Sequence, residues 1–420
     1  MFLREVAGIP IALRRQYHDR SRITERQLAG CRTMLDRAIA HVPHYRDRPD
    51  YHRRLRTLAD LAELPVIDKS WLRADPASFH AEDVAATDCL VFRTSGSTGA
   101  RVEIRHDRFS HDYHSAALVR RFAATGRYLP WYRLSHIRPF APPARRFERF
   151  GLFRRHVLLT ERGLEAITQE LLANRPHVVI GYPVHLRALL RELDADQLAA
   201  LRSSLRMVMT ESELLVPQAR ADLAEAFGVP VFDEYSAFET LNISYDCARG
   251  RAHLSEDRLV VEVLDDRGRP VPDGVEGRLV ITPFMERAMP LLRYDLGDRG
   301  RIAPQPCPCG RTFRTLELTV GRTNDYVVLP SGRRLYPDTF LHLAATHPGI
   351  SECFVRQDAR GVVRLFVVPV GGQGPSEVAV RESLTRIAGE AFPLEIEAAT
   401  STPLTVGGKG KFVASELVQG

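Results

Sequence analysis

Between Val178 and Phe232 the chain repeats one pattern, a short apolar run followed by a longer stretch with apolar residues at helical spacing. Val178-Val179-Ile180 precedes a predicted helix from His185 to Leu193. Met207-Val208-Met209 precedes another from Val216 to Phe227, closed by Gly228, and Val231-Phe232 follows as a further strand. A continuous apolar run leaves a strand no polar face to turn to water, so such strands are covered on both sides. Strands alternating with helices predict a parallel sheet flanked by helices on both faces. The chain is therefore expected in the α/β class.

The flanking regions extend this plan. Residues 21 to 41 carry Leu28, Met34, Leu35, Ala38 and Ile39 at helical spacing, and Asp68 stands where it would cap a helix through Trp71-Leu72-Arg73. Cys89-Leu90-Val91-Phe92 reads as a buried strand, with Val102-Glu103-Ile104 as a second. After residue 255 the pattern changes. Leu259 to Leu264 and Gly277 to Thr282 are strand-like and separated by turns such as Asp273-Gly274, which predicts an antiparallel β subdomain over about 255–320. A second break falls at Gly321 to Asp325. Beyond it, strands at Val327 to Leu329, Cys353 to Arg356 and Val362 to Val368, with helices at Asp338 to Ala345 and Ser376 to Ala391, predict a small α+β domain. The expected division is a large domain over 1–323 and a small mobile one over 324–420.

Composition sets outer limits. The 420 residues are 44% hydrophobic and 26% charged, ordinary for a globular protein. No apolar run approaches the roughly 20 residues that span a bilayer, so no membrane association is expected. The stretch Val6 to Leu13 is interrupted by Pro10 and followed by Arg14-Arg15. It reads as a short buried segment before a solvated helix rather than an export signal, and a cytoplasmic location is expected. The net charge of +6 is spread along the chain. It suits anionic small substrates as well as nucleic acid, but no nucleic-acid-binding motif accompanies it, and none is expected to bind. Six cysteines do not make a secreted disulfide framework.

Chemistry first surfaces at Arg93-Thr94-Ser95-Gly96-Ser97-Thr98-Gly99, between two predicted strands. Its hydroxyls and backbone N–H groups suit phosphate oxygens, and its glycines permit close approach. A Walker loop would end Gly-Lys-Ser/Thr and open a helix, which this does not. Read alone, the segment is also an ordinary polar turn.

The whole set of motifs resembles the adenylate-forming (acyl-CoA synthetase-like) superfamily, and within it the phenylacetate–CoA ligase and capsule-biosynthesis-like branch. Strand, Ser-Gly-Ser-Thr-Gly, strand is followed in order by Phe232-Asp233-Glu234-Tyr235-Ser236-Ala237-Phe238-Glu239, similar to that family's Asp-x-Tyr-Gly-x-x-Glu. Leu292-Arg293-Tyr294-Asp295-Leu296-Gly297-Asp298 is similar to Arg-Tyr-x-x-Gly-Asp, Gly321-Arg322-Thr323-Asn324-Asp325 to the hinge Gly-Arg-x-Asp-Asp, and Pro403 to Lys409 to the C-terminal Pro…Gly-Lys loop. Leu64-Pro65, Lys69, Ala288 to Tyr294 and Cys307 to Thr312 point to the branch. The likeness runs from about residue 30 to 415.

The resemblance implies an AMP-forming acid–thiol ligase. A carboxylate attacks the α-phosphate of ATP, giving acyl-adenylate and pyrophosphate, and the acyl group then passes to coenzyme A; a carrier-protein thiol or an amine is the alternative acceptor. It implies that Ser95, Gly96, Ser97, Thr98 and Gly99 bind phosphates, that Glu239 helps hold Mg²⁺, and that Tyr235 stacks on adenine near Glu213. Asp298 would accept from the ribose, Arg322 would approach ribose or phosphate, Asn324 would be the hinge, and Lys409 would neutralise charge in the transition state. Lys411 is a nearby rival for that last role. Each residue alone also has an ordinary reading: a surface carboxylate, a core aromatic, a turn cap, an exposed lysine.

The acid pocket is expected around Gly181-Tyr182-Pro183, Ser212 and Ala237 to Thr240, where Tyr182, Phe238 and Phe140 could build an aromatic slot for an aryl or arylacetic acid or else simply fill core. Cys247, His253, Cys307 and Cys309 match a closed structural Zn²⁺ site, three thiolates and an imidazole, and read otherwise as four reduced, unliganded side chains. Ala100, Ser236 and Asn324 depart from the usual Lys, Gly and Asp of the motifs, which marks a divergent member. A homodimer is left open by the sequence.

Overall fold

The repeating middle of the chain forms the parallel half of one large sheet. In the computed structural model, which describes residues 2–93, 102–141, 145–320, 326–335, 339–340, 343, 347, 349–369, 376–401, 403 and 412–417, β1 (Cys89–Arg93) and β2 (Glu103–Asp107) pair as a separate antiparallel ribbon. The next strands are β3 (Leu134–Arg138), β4 (Arg155–Leu159), β5 (Val178–Gly181), β6 (Met207–Glu211) and β7 (Val231–Ala237), all parallel and ordered β4-β3-β5-β6-β7.

Both faces of these strands are buried, as their unbroken apolar runs require. Val179 and Val208 face a core with helices α6 (Leu164–Asn174), α7 (Pro183–Glu192), α8 (Ala195–Ser204) and α9 (Pro217–Phe227), numbered after α1 (Phe2–Arg15), α2 (Arg20–His41), α3 (Pro43–Arg46), α4 (Lys69–Ala74) and α5 (Arg108–Thr125). Their sequence neighbours Val178, Ile180, Met207 and Met209 face the opposite way, onto Val119 and Phe122 of α5. Gly228 closes α9 in the left-handed region at φ 68°, as its place in the sequence predicts. Asp68 caps α4 by accepting from the Ser70 N–H at 2.8 Å.

The N-terminal expectation needs correction. Phe2–Arg15 is one helix that runs through Pro10. Pro10 removes one backbone donor, and the helix instead gains its place by packing against α5. A Cβ at Gly8 would lie 2.9 Å from the Cβ of Ala116, so only glycine allows that approach. Among the described residues, no helix is long and apolar enough to cross a membrane.

The antiparallel strands after residue 240 do not make a layer of their own. β8 (Leu241–Asp246), β9 (Ala252–Leu254), β10 (Leu259–Leu264), β11 (Gly277–Pro283), β12 (Tyr294–Ile302) and β13 (Thr315–Val320) continue the same sheet, whose full order is β10-β11-β12-β13-β9-β8-β7-β6-β5-β3-β4. Their core, with Leu259, Val261, Leu279, Ile281 and Tyr294, is shared with Met34, Leu35 and Ala38 of α2 and with Tyr45, Leu72 and Phe79.

The C-terminal region has a core of its own. β14 (Val327–Val328) and β15 (Arg334–Leu335) form a small ribbon. A four-stranded sheet then runs β18 (Leu394–Ala398), β17 (Val363–Pro369), β16 (Ile350–Gln357), β19 (Val413–Ser415), packed on the helix Glu377–Ala388 through Val355, Leu365, Val380 and Leu384. Most of the helix expected at Asp338 to Ala345 lies outside the described residues.

Candidate active site

The two best motifs in the sequence meet in space. Tyr235 lies near the end of β7 and Asp298 on β12, four places away in the sheet order, yet the Tyr235 hydroxyl donates to Asp298 Oδ2 at 2.5 Å. Two features close that distance. The intervening β9 is only three residues long, and register breaks at Tyr235/Ser236 and Arg299/Gly300 bend both strands. Gly297 takes φ 73°, a left-handed turn at the residue before Asp298, and its N–H donates to Asp295 Oδ1 at 2.8 Å. Asp295 in turn pairs with Arg278 at 2.5 Å.

Glu239 sits in the turn after β7, where its Oε1 accepts from the Tyr294 hydroxyl at 3.2 Å. Thus Tyr235 and Glu239 of one motif contact Asp298 and Tyr294 of the other. Arg293 does something different. Its Nε and Nη2 grip both oxygens of Glu262 at 3.0 Å, and its Nη1 donates to the carbonyls of Ala62 and Leu64 at 3.1 and 2.5 Å. Arg293 is a buried clamp between the sheet and the segment before α4.

The expected pocket residues gather at the C-terminal edge of the parallel strands. Phe238 stacks on Phe92 with centroids 5.6 Å apart, and Phe140 lies 6.0 Å from Phe238. Phe92 belongs to β1, which leads into the glycine loop. His106 of β2 fixes this corner, since its Nε2 donates to the Phe238 carbonyl at 2.7 Å while Nδ1 faces Glu286 at 3.1 Å. Tyr182 is buried beside Ser212, with which it shares a hydrogen bond, and burial pushes its phenol up to about 12. Ser212 holds φ 71°, a conformation uncommon for a residue with a side chain. Glu213 Oε2 accepts from the Val184 N–H at 3.1 Å, near the start of α7. Ala237 is the last residue of β7.

Beneath these residues lies a buried charged group absent from the sequence reading. Glu211, at the end of β6, is 2.9 Å from His136 Nε2, 3.5 Å from Arg121 and 4.0 Å from Arg138. Burial raises the Glu211 carboxyl, but His136, Arg138 and Arg121 outweigh it and hold the group well below the usual range. Burial lowers His136 to about 4 and Arg121 to about 10. Arg121 also pairs with Glu234. The only sequence signal for this group is the position of Arg138 and Glu211 at the ends of strands in a parallel sheet.

Ser95, Gly96, Ser97, Thr98, Gly99, Arg322, Asn324 and Lys409 lie outside the described residues.

A profile described as "AMP-binding enzyme" matches residues 27–283, more than half of the chain. The chain belongs to the AMP-binding enzyme family. Membership fits the convergence of Tyr235, Glu239, Tyr294 and Asp298. A phenylacetate-coenzyme A ligase of Thermus thermophilus is 32% identical over 39% of this chain, and the match spans only 38% of that relative's length. A second, from Aromatoleum evansii, is 25% identical over 78% of this chain and 77% of its own. Among solved structures, a 2-hydroxyisobutyryl-CoA ligase in complex with 2-HIB-AMP has a TM-score of 0.79, covering 96% of this chain and 91% of that one at 19% identity, a likeness of fold.

The four metal-type side chains also come together. Cys247, His253, Cys307 and Cys309 present ligand atoms all within 4.8 Å of one another. The Cys247 and Cys307 sulfurs are 3.7 Å apart, and Cys309 Sγ is 3.2 Å from His253 Nε2. Two thiolates on a tetrahedral Zn²⁺ at about 2.3 Å stand about 3.8 Å apart. His253 Nδ1 donates to the Phe313 carbonyl at 2.7 Å, which fixes the tautomer that leaves Nε2 free to ligate. The donor set and its supporting bond fit zinc.

Proposed function

We propose that this chain is an AMP-forming acid–thiol ligase that converts an aromatic or arylacetic acid to its acyl-adenylate with ATP and transfers the acyl group to coenzyme A. The observation that carries the reading is the contact of Tyr235 with Asp298 at the edge where the parallel sheet meets its antiparallel half. Such an edge is where open α/β sheets bind ligands. A phenol with an adjacent carboxylate suits a nucleoside: the ring offers a stacking face for adenine, and Asp298 offers acceptor oxygens to ribose hydroxyls.

Joining two anions demands positioning and charge neutralisation more than covalent help. In this reading Ser95, Ser97 and Thr98, with the glycines Gly96 and Gly99, hold the phosphates. Glu239 supplies a hard oxygen for Mg²⁺, whose charge would offset the phosphates. Glu213 borders the adenine side, and Arg322 reaches ribose or phosphate. Lys409 places an ammonium between the carboxylate and the α-phosphate. The separate core of the C-terminal region supports its role as a lid over 324–420 that turns about Asn324, withdraws Lys409 after adenylation and admits the thiol. Tyr182, Ser212, Ala237, Phe238 and Phe140 form the acid slot. Zn²⁺ on Cys247, His253, Cys307 and Cys309 ties the loops after β8 and β12 together, away from the chemistry. We place the enzyme in the cytoplasm.

The test is ATP–pyrophosphate exchange across a panel of carboxylic acids, with product mass spectrometry in the presence and absence of coenzyme A. Exchange should require an aryl acid and fall at least a hundredfold in Lys409→Ala. Exchange with no acid, or full adenylation by that variant, overturns the reading. Product formed only with an added carrier protein or amine would replace coenzyme A as the acceptor.

A further inference from the structure

We infer that Arg138 selects the acid: the substrate is an aromatic acid bearing a second carboxylate, remote from the one that is adenylated, and the Arg138 guanidinium receives it. This rests on the adenylation reading above and adds to it the class of acid.

Arg138 ends β3 at the C-terminal edge of the parallel strands. The β3/β5 register sets His136 opposite Ile180 and, carried two residues further, brings Arg138 level with Tyr182. Its Cζ lies 4.3 Å from the centre of the Phe140 ring, and Phe140 leads to Phe238. A guanidinium therefore forms part of the aromatic slot. Cation–π stacking orients its plane but satisfies none of its in-plane N–H donors.

The protein itself does little to satisfy those donors. Among the described residues the acid nearest Arg138 is Glu211, at 4.0 Å, beyond hydrogen-bonding distance. Glu211 is already held closer by His136 and by Arg121. Arg138 Nε is buried with no hydrogen-bond partner, although the side chain as a whole is only 12% exposed. A desolvated guanidinium without an acceptor is costly to keep. Contrast Arg293 and Arg258 in the same molecule: the first has two carboxylate oxygens and two carbonyls, and the second, although its own Nε also lacks a partner, pairs with Glu286 at 3.0 Å and with His114 Nδ1 at 2.9 Å. Those are structural arginines. Arg138 instead ends its strand at the ligand edge beside Phe140, its guanidinium fork held by no carboxylate at hydrogen-bonding distance among the described residues. A carboxylate on a flat ring fits that fork in two parallel bonds, which a hydroxyl or amide does not.

The consequence is a ratio, not only a rate. A site built to bind a polar group rejects the analogue that lacks it, because its own donors are then left unpaired. Exchange should be measured with phenylacetate, its 3- and 4-carboxy derivatives and their carbamoyl isosteres, and with benzoate, isophthalate and terephthalate. At least one carboxy acid should exceed its unsubstituted parent at least tenfold in kcat/KM, with the carbamoyl isostere falling near the parent. Arg138→Met should erase that ratio mainly through KM, and Arg138→Lys, which keeps the charge but loses the fork, should fall between. If Arg138→Met fails to fold, the wild-type ratio and the Lys variant decide. A parent acid used as well as every carboxy derivative, or a ratio unchanged in the variants, overturns the inference and leaves adenylation standing. No exchange with any acid overturns adenylation itself.

Discussion

Tyr235→Phe isolates one hydrogen bond. The substitution keeps the ring, and with it any stacking on a base, and deletes the hydroxyl that donates to Asp298 at 2.5 Å. A bond to a charged acceptor contributes about 1.5–3 kcal/mol when buried. Both partners here are partly exposed, so water will replace part of it. We expect a loss of about 1.4 kcal/mol, which is about tenfold in an equilibrium constant. If Asp298 holds the ribose, that loss falls on nucleotide binding, because the carboxylate loses the contact that orients it. The assay is ATP–pyrophosphate exchange at saturating acid, with a thermal melt on the same preparation. KM for ATP should rise about tenfold, kcat should stay within about threefold, and Tm should move by no more than about 2 °C. A KM for ATP within twofold of wild type would refute the argument. So would a Tm drop above about 5 °C, since the bond would then brace the sheet rather than serve a ligand.

Two further outcomes follow from buried groups. Protein expressed with zinc supplied should carry about one zinc per chain, and Cys307→Ser should lose it and melt lower; a wild type without zinc, or a variant that keeps it, rules the site out. Burial, aided by Asp246, pushes the Asp233 carboxyl up to about 7 from its ordinary 3.8. The folded state thus favours the protonated form, and the stability it contributes is present below 3.8 and lost as pH rises through about 7. Asp233→Asn keeps that position neutral, so its Tm advantage over wild type should grow from pH 5 to pH 8. A difference flat with pH would show that Asp233 is ionised throughout.

The sequence made the parallel half legible because its strands carry their burial in their composition. Val178-Val179-Ile180 and Met207-Val208-Met209 can exist only between two helical layers, and they do. The antiparallel half was legible in its strands but not in its connection. Alternation predicts a sheet with one wet face, and nothing in a period of two says whether that sheet stands alone or continues another. β8 is wholly buried although Asn242 and Asp246 lie on it, because Asn242 bonds Glu234 at 2.9 Å and Asp246 accepts from Arg220 at 2.6 Å. Polar residues satisfied in this way hide a core strand from any hydropathy pattern. Pro10 likewise misdirected the N-terminus, since packing of Gly8 on Ala116 outweighs a single lost backbone bond.

The candidate site was legible where several residues recur together in a motif and silent where a single residue stands alone. Tyr235 and Glu239 sit four residues apart and signal each other; so do Tyr294 and Asp298. The structure explains why the two pairs lie about sixty residues apart in sequence. The sheet reverses direction between β7 and β8, and the chain must then travel out through β10 and β11 before β12 can return its N-terminal half to the end of β7. The turn after β7 and the bend in β12 are consequences of that reversal, and both motifs occupy those bends. Arg138 has no such companion. It ends a strand on the parallel side, its neighbours in sequence are Ile137 and Pro139, and its significance arises only from what Glu211 does not supply. A motif can be read from the residues that are present. An unsatisfied guanidinium can be read only from the partners that are missing, and so the acid's second group is a question for the folded chain alone.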